Sequence, residues 1–171
     1  GIYHAAFKLS MFSAIALMSV NSIASPKLAE KFANQDIHGL RKITNQSTRI
    51  IFFCTIPLII VSFLFPEFLL STFGKEDFTL GVFAFLALSI GRLISACSGP
   101  VGNILQMTNN QNIYGKILFI GALINVLLNL FLIPESNPFS VYGISGINGA
   151  AIASMSSLIF WNLSMIVVVK K

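Results

Sequence analysis

Two cations lie inside otherwise apolar stretches of this chain: Lys8 in the opening segment and Arg92 in the middle of the third stretch. A cation in hydrocarbon costs roughly 2.5–3.5 kcal/mol on insertion scales, so it ordinarily faces a polar cavity or a partner within a helix bundle. Around Arg92 the polar residues recur at helical steps. Ser89, Arg92, Ser95, Gly99, Asn103 and Gln106 are three or four positions apart and share one stripe of a helix. Such a stripe is expected to line a cavity. The candidate substrate-binding residues are therefore the cations Lys8 and Arg92 with Ser89, Ser95, Asn103 and Gln106. Arginine offers an anionic group a planar fork and lysine a point charge. Two other readings stay open: Arg92 as the buried partner of a carboxylate on a helix outside these 171 residues, and Lys8 snorkelling to the outer interface.

Asn125 and Asn129 are one turn apart in the fourth stretch and share a face, where each can form a helix-to-helix hydrogen bond worth on the order of 0.6–2 kcal/mol. They are read as packing residues or as polar cavity residues. All six carboxylates (Glu30, Asp36, Glu67, Glu76, Asp77 and Glu135) fall in connections or near stretch ends, which leaves no proton relay within these spans. No Walker motif, no His/Cys cluster with metal spacing and no Ser/His or His/carboxylate pairing for hydrolysis occurs in the sequence. The expectation is a protein that is not an enzyme and uses no metal or cofactor.

The elements that must position these residues follow from composition. Among 171 residues, 55% are hydrophobic and 10% charged, with a mean hydropathy of +0.82. That leaves too little polar surface to cover a soluble globule. A spanning helix needs about 20 mostly apolar residues, and segments 1–24, 50–72, 78–107, 116–133 and 148–169 meet or approach this. The fold class expected is all-α and polytopic, with about five transmembrane helices. Because the chain starts at Gly1 within an apolar segment, we expect an internal piece of a longer polypeptide.

Within that frame several positions have local meaning. Pro26 suits the first turn of an interfacial helix carrying Leu28, Phe32, Leu40 and Ile43 as a weak apolar stripe; the other reading of 25–48 is a charged loop. Pro57 predicts a kink in the second span and Gly99–Pro100 a break in the third. Gly146, Gly149, Ala150, Ala153, Ser154 and Ser157 would let the last helix approach a neighbour closely. Cys54 and Cys97 are expected to be buried free thiols, Glu67 to be solvated, and Tyr114 and Tyr142 to be interfacial belt residues.

If the spans alternate across the bilayer, Lys27, Lys31, Arg41, Lys42, Arg49, Lys116, Lys170 and Lys171 gather on one side and only Lys75 on the other. The positive-inside tendency then makes the 25–48 connection, the turn before Lys116 and the C-terminus cytoplasmic. The net charge of +5 is thereby attributed to topology and to anionic lipid headgroups, with no nucleic-acid partner.

Three segments carry a family resemblance: GNILQMTNNQNIYGK at 102–116, ALINVLLNLFLIP at 122–134 and YGISGINGAAIAS at 142–154. In this order they resemble the C-terminal part of polysaccharide flippases, the O-antigen (Wzx-type) transporters of the multidrug/oligosaccharidyl-lipid/polysaccharide (MOP) exporter superfamily. GIYHAAFKLS at 1–10 is similar to that family's entry into its eighth span. The resemblance implies that the chain forms most of the C-terminal lobe of a two-lobe, MATE-like transporter of about twelve helices. It implies movement of an undecaprenyl-diphosphate-linked oligosaccharide, an O-antigen or capsular or exopolysaccharide repeat unit, across the bacterial inner membrane by alternating access. Its implied partners are that substrate, membrane lipids, the N-terminal half of the same transporter and polysaccharide polymerase or assembly proteins. A cation-coupled multidrug antiporter of the same superfamily and an intramembrane enzyme of polysaccharide assembly remain as alternatives. The topology is testable: cysteine labels at residues 34 and 111 should be protected from an impermeant external reagent, and one at residue 137 should react. External labelling at residue 34 would reverse the orientation.

Overall fold

The opening helix does not stop where its apolar residues stop. In the computed structural model, which describes residues 2–72 and 81–170, α1 runs from Ile2 to Ala33 with Pro26 in its interior. After a turn at 34–36, α2 runs from Ile37 to Leu64. The separate interfacial helix expected at 25–48 is therefore absent; those residues extend the two flanking helices. The cause is tertiary. Leu28 is fully buried and packs with Ala24 and Ile104, and Leu40 and Ile43 join the same cluster. Burying such side chains is worth about 1.5–3 kcal/mol each, which offsets the hydrogen bond a proline removes. Phe32, expected on that stripe, is left exposed.

The turn is held by Asp36. Its Oδ1 accepts from the Gly39 backbone N–H at 2.7 Å, and its Oδ2 lies 3.1 Å from Lys31 Nζ. The Gly39 N–H, and after it Lys31, hold this carboxyl below its ordinary value. A depressed carboxyl contributes stability at neutral pH that is lost as pH falls through the lowered folded-state value.

Helix α2 stays helical through Pro57 and ends at Leu64, two residues before Pro66 opens the short α3 (Pro66–Ser71), so the second span is interrupted near its far end. The chain then forms α4 (Val82–Ser98), α5 (Val101–Met107), α6 (Gln111–Leu132), a single 3-10 turn at Ser140–Tyr142 and α7 (Gly146–Val169). Lys75, Glu76, Asp77 and the start of the third expected span at 78–80 lie outside the described residues. Four helices, α1, α2, α6 and α7, are long and apolar enough to cross a membrane. The pair α4–α5 makes a fifth, bent by 49°.

Helix α4 is central and packs on α1, α2 and α7, while α6 leans on α7. Near one end of the bundle Ala6, Leu9, Phe85, Leu88 and Ala151 form the largest core. Near the other, Val101, Leu105, Ile117 and Met165 join α5, α6 and α7. Small residues allow this density, as expected for helices that lack a hydrophobic drive to associate in lipid. Gly149 is pressed against the backbone of Leu132, and Gly91 lies against Leu158. The outward face of α6 is apolar, with Phe119 72% and Leu130 71% exposed. Cys54 and Cys97 are exposed, contrary to expectation, because they lie on outward faces of their helices.

The bend in the third span has a local cause. Gly99 has φ 68° and ψ −153°, a combination essentially restricted to glycine, and Pro100 has no N–H to continue the ladder. Thr48 of α2 sits directly against Gly99, where a Cβ would overlap its hydroxyl.

The connection from α6 to α7 folds around Asn137, whose Nδ2 reaches the carbonyls of Leu132, Pro134 and Ile144 at 2.9, 2.6 and 2.9 Å. Its Oδ1 accepts from the Phe139 N–H at 2.7 Å. Asn137 is thus buried, a poor labelling position; Val141, 88% exposed, is the residue of this connection where an external reagent should react.

Two glycine substitutions test this packing. Gly149→Ala should lower thermal stability in detergent by about 1–3 kcal/mol, since the atom it meets is backbone, whereas Gly115→Ala, which meets nothing within 4 Å, should be neutral or stabilising. Gly99→Ala should cost about 1–3 kcal/mol from its backbone conformation alone, with more from the overlap. Adding Thr48→Ala should recover only part of that loss; full recovery would mean that the conformation at Gly99 carries no strain for alanine.

Candidate functional site

Arg92 lies in the middle of α4, two turns before the bend, so the break at Gly99–Pro100 sets the space beside it. There the structure holds a cavity of about 220 Å³ walled by α1, α4, α5, α6 and α7. Arg92, Ser95, Gly99 and Asn103 of the expected stripe all border it. The wall also carries Asn21 of α1, Tyr114 of α6 and Trp161 and Asn162 of α7. No carboxylate is among these wall residues.

The guanidinium is only partly satisfied. Its centre lies 5.7 Å from the ring centroid of Phe7, a cation–π contact worth about 0.5–2 kcal/mol that uses none of its N–H groups. Its Nε is buried and has no hydrogen-bond partner among the described residues. Asn21 Oδ1 is in the same condition. Leaving a buried polar group unpaired costs about 1–3 kcal/mol, and more when it is charged. Among the described residues the one ion pair is Lys31–Asp36, and no carboxylate pairs with Arg92.

Other wall groups are tied to the scaffold. Asn103 Nδ2 donates to Ser25 Oγ at 2.5 Å, while Ser25 Oγ donates to the Asn21 carbonyl at 2.6 Å, linking α5 to α1 across the bend. Asn162 Nδ2 donates to the Leu158 carbonyl at 2.8 Å.

Three expected site residues lie elsewhere. Ser89 is fully buried a turn before Arg92 and donates to the Phe85 carbonyl at 2.8 Å, so it is a core residue. Gln106 is off the wall, because the bend breaks the register that would have carried the stripe along α5. Lys8 points out of the bundle from α1 and is exposed. On that outward face lie also His4, Ser19 and Ser22, all exposed. Helix α1 thus carries polar groups among the apolar residues of its outward face, such as Ile15 and Met18, and exposed polar groups on a span are favoured where they meet water or protein.

Asn125 and Asn129 belong to packing. Asn125 Nδ2 donates to Ser157 Oγ of α7 at 3.3 Å, and Asn129 Nδ2 donates to Asn125 Oδ1 at 3.0 Å. Tyr142 is 80% exposed, but Tyr114, expected in an interfacial belt, faces the cavity and lies against Gly102. Sequence reasoning missed Asn21, Trp161 and Asn162. Asn21 and Asn162 carried the signal available, a lone amide in an apolar span; Trp161 carried none.

A family model described as MatE matches residues 1–131. No curated protein and no solved structure matches the chain. A match over three-quarters of the residues, on a bundle with these spans, identifies the chain as a multi-pass membrane protein of the MatE family, whose members are transporters and not enzymes.

Proposed function

We propose that this chain is part of a flippase that moves an undecaprenyl-diphosphate-linked oligosaccharide across the bacterial inner membrane by alternating access, with its C-terminus in the cytoplasm. The observation that carries the reading is Arg92: a cation in mid-span, on a cavity wall without a carboxylate. A diphosphate crossing hydrocarbon needs charge-assisted hydrogen bonds, and an unpaired guanidinium supplies them in a forked geometry. An exporter of cationic drugs needs the opposite sign at its site. The glycan part of the reading rests on the resemblance of 102–116, 122–134 and 142–154 to O-antigen flippases, and family membership removes the polymerase alternative.

Size divides the roles of the two cations. The cavity at Arg92, about 220 Å³, is below the range of roughly 300–1,000 Å³ usual for drug-sized ligands. It suits a phosphate group, with the glycan outside. The exposed face of α1, with Lys8, His4, Ser19 and Ser22, supplies a polar surface for the larger part of the cargo, facing the N-terminal half of the transporter.

Substitution in the full-length protein tests this. Arg92→Ala should reduce export of lipid-linked glycan on the order of tenfold or more, as losing a charged hydrogen bond implies, while abundance in the membrane falls far less. Arg92→Lys should recover part of the export, since charge is kept and the fork is lost. Equal losses of export and abundance would make Arg92 a structural residue. Unchanged glycan export together with lost drug efflux would replace the flippase reading by the antiporter.

A further inference from the structure

A guanidinium in a span must be neutralised even when no cargo is present. Arg92 has no counter-charge on its cavity wall, its Nε is buried without a partner among the described residues, and its face is covered by Phe7. The six carboxylates of the sequence all lie outside the middles of the spans. The other polar residues bordering the cavity, among apolar ones such as Leu17, Leu118 and Met165, are neutral: Ser95, Tyr114, Trp161, Asn21, Asn103 and Asn162. Every one of these can donate a hydrogen bond, and none carries negative charge.

We propose that this cavity binds a compact inorganic anion, of halide to phosphate size, as the exchangeable counter-ion of Arg92. Volume sets the class. About 220 Å³ is enough for one such anion with part of its hydration shell and too little for an oligosaccharide repeat unit. Charge sets the sign, since a wall with one cation and no carboxylate repels a metal ion. The proposal extends the flippase reading, in which the cargo's diphosphate reaches the same guanidinium and displaces the anion, and it rests on that reading only for this exchange.

Trp161, the one tryptophan of these 171 residues, borders the cavity and reports on it. The full-length transporter in nanodiscs is titrated with sodium iodide, a quencher of indole fluorescence, against gluconate at constant ionic strength. The Trp161 signal is taken as the difference from Trp161→Phe. A saturable component, relieved by chloride or inorganic phosphate, is expected. Arg92→Gln should weaken it about tenfold or more. Asn21→Asp, nearly isosteric, should abolish it by supplying an internal carboxylate, and so tests the site even if Arg92→Gln fails to fold. Lys116→Gln, which removes an exposed charge off the cavity wall, should leave it intact. Quenching that never saturates, or that is equal in wild type, Arg92→Gln and Asn21→Asp, overturns the proposal. So does an Arg92-dependent change seen with a polyprenyl diphosphate in the nanodisc but with no inorganic anion. Saturable iodide binding that a polyprenyl diphosphate does not displace supports the anion site and overturns the exchange, and with it the role of Arg92 in glycan export.

Discussion

The cost of an uncompensated charge in a low-dielectric interior is the constraint on which this structure turns. Arg92 is held where water is scarce and where the chain supplies no carboxylate, so its environment must meet that cost in other ways. It does so with an aromatic face and with a cavity next to the guanidinium. A salt bridge would have been the simpler solution, but a charge already paired within the protein is a weak ligand for anything else. Incomplete satisfaction at Arg92 and at Asn21 is what supports the proposed anion site.

The scaffold around the charge depends on a bend that only a few residue types permit. Gly99 adopts a conformation closed to other residues, Pro100 ends the hydrogen-bond ladder, and Thr48 fills the place a side chain would take. Because α5 leaves α4 at 49°, Asn103 reaches back to Ser25 of α1 while Gln106 turns away. Close approach of α7 to α4 and α6 then closes the remaining walls, and it relies on Gly91, Gly121 and Gly149, each against a bulky neighbour or bare backbone.

The family and the bundle are of one piece with this chemistry. The chain belongs to a transporter family, and a span broken at glycine and proline beside a cavity is a place where small shifts change the walls. The outward face of α1 carries His4, Lys8, Ser19 and Ser22 among apolar residues, while the middle of α6, from Phe119 to Leu130, turns hydrocarbon outward.

Hydropathy determined the membrane class and the all-α fold, because lipid requires every backbone group to be satisfied within a helix, and the pair Gly99–Pro100 marked the break, because proline lacks the N–H that would continue the ladder. Spacing alone put Arg92, Ser95 and Asn103 on a common face, since a helix repeats every few residues whatever surrounds it. It did not exclude Ser89 or Gln106, because facing a cavity depends on what lies opposite: Ser89 is fully buried in the packed interior, and the bend removes Gln106. Nor did it mark Asn21, Tyr114, Trp161 and Asn162, which come from three other helices and meet Arg92 only when those helices pack. The ends of α1 and α2 were equally hidden, since burial of Leu28 against Ile104 carries the helix past Pro26 against local propensity. Local sequence sets periodicity and breaks; which side of a helix meets protein, cavity or lipid is decided by contacts between residues far apart in the chain.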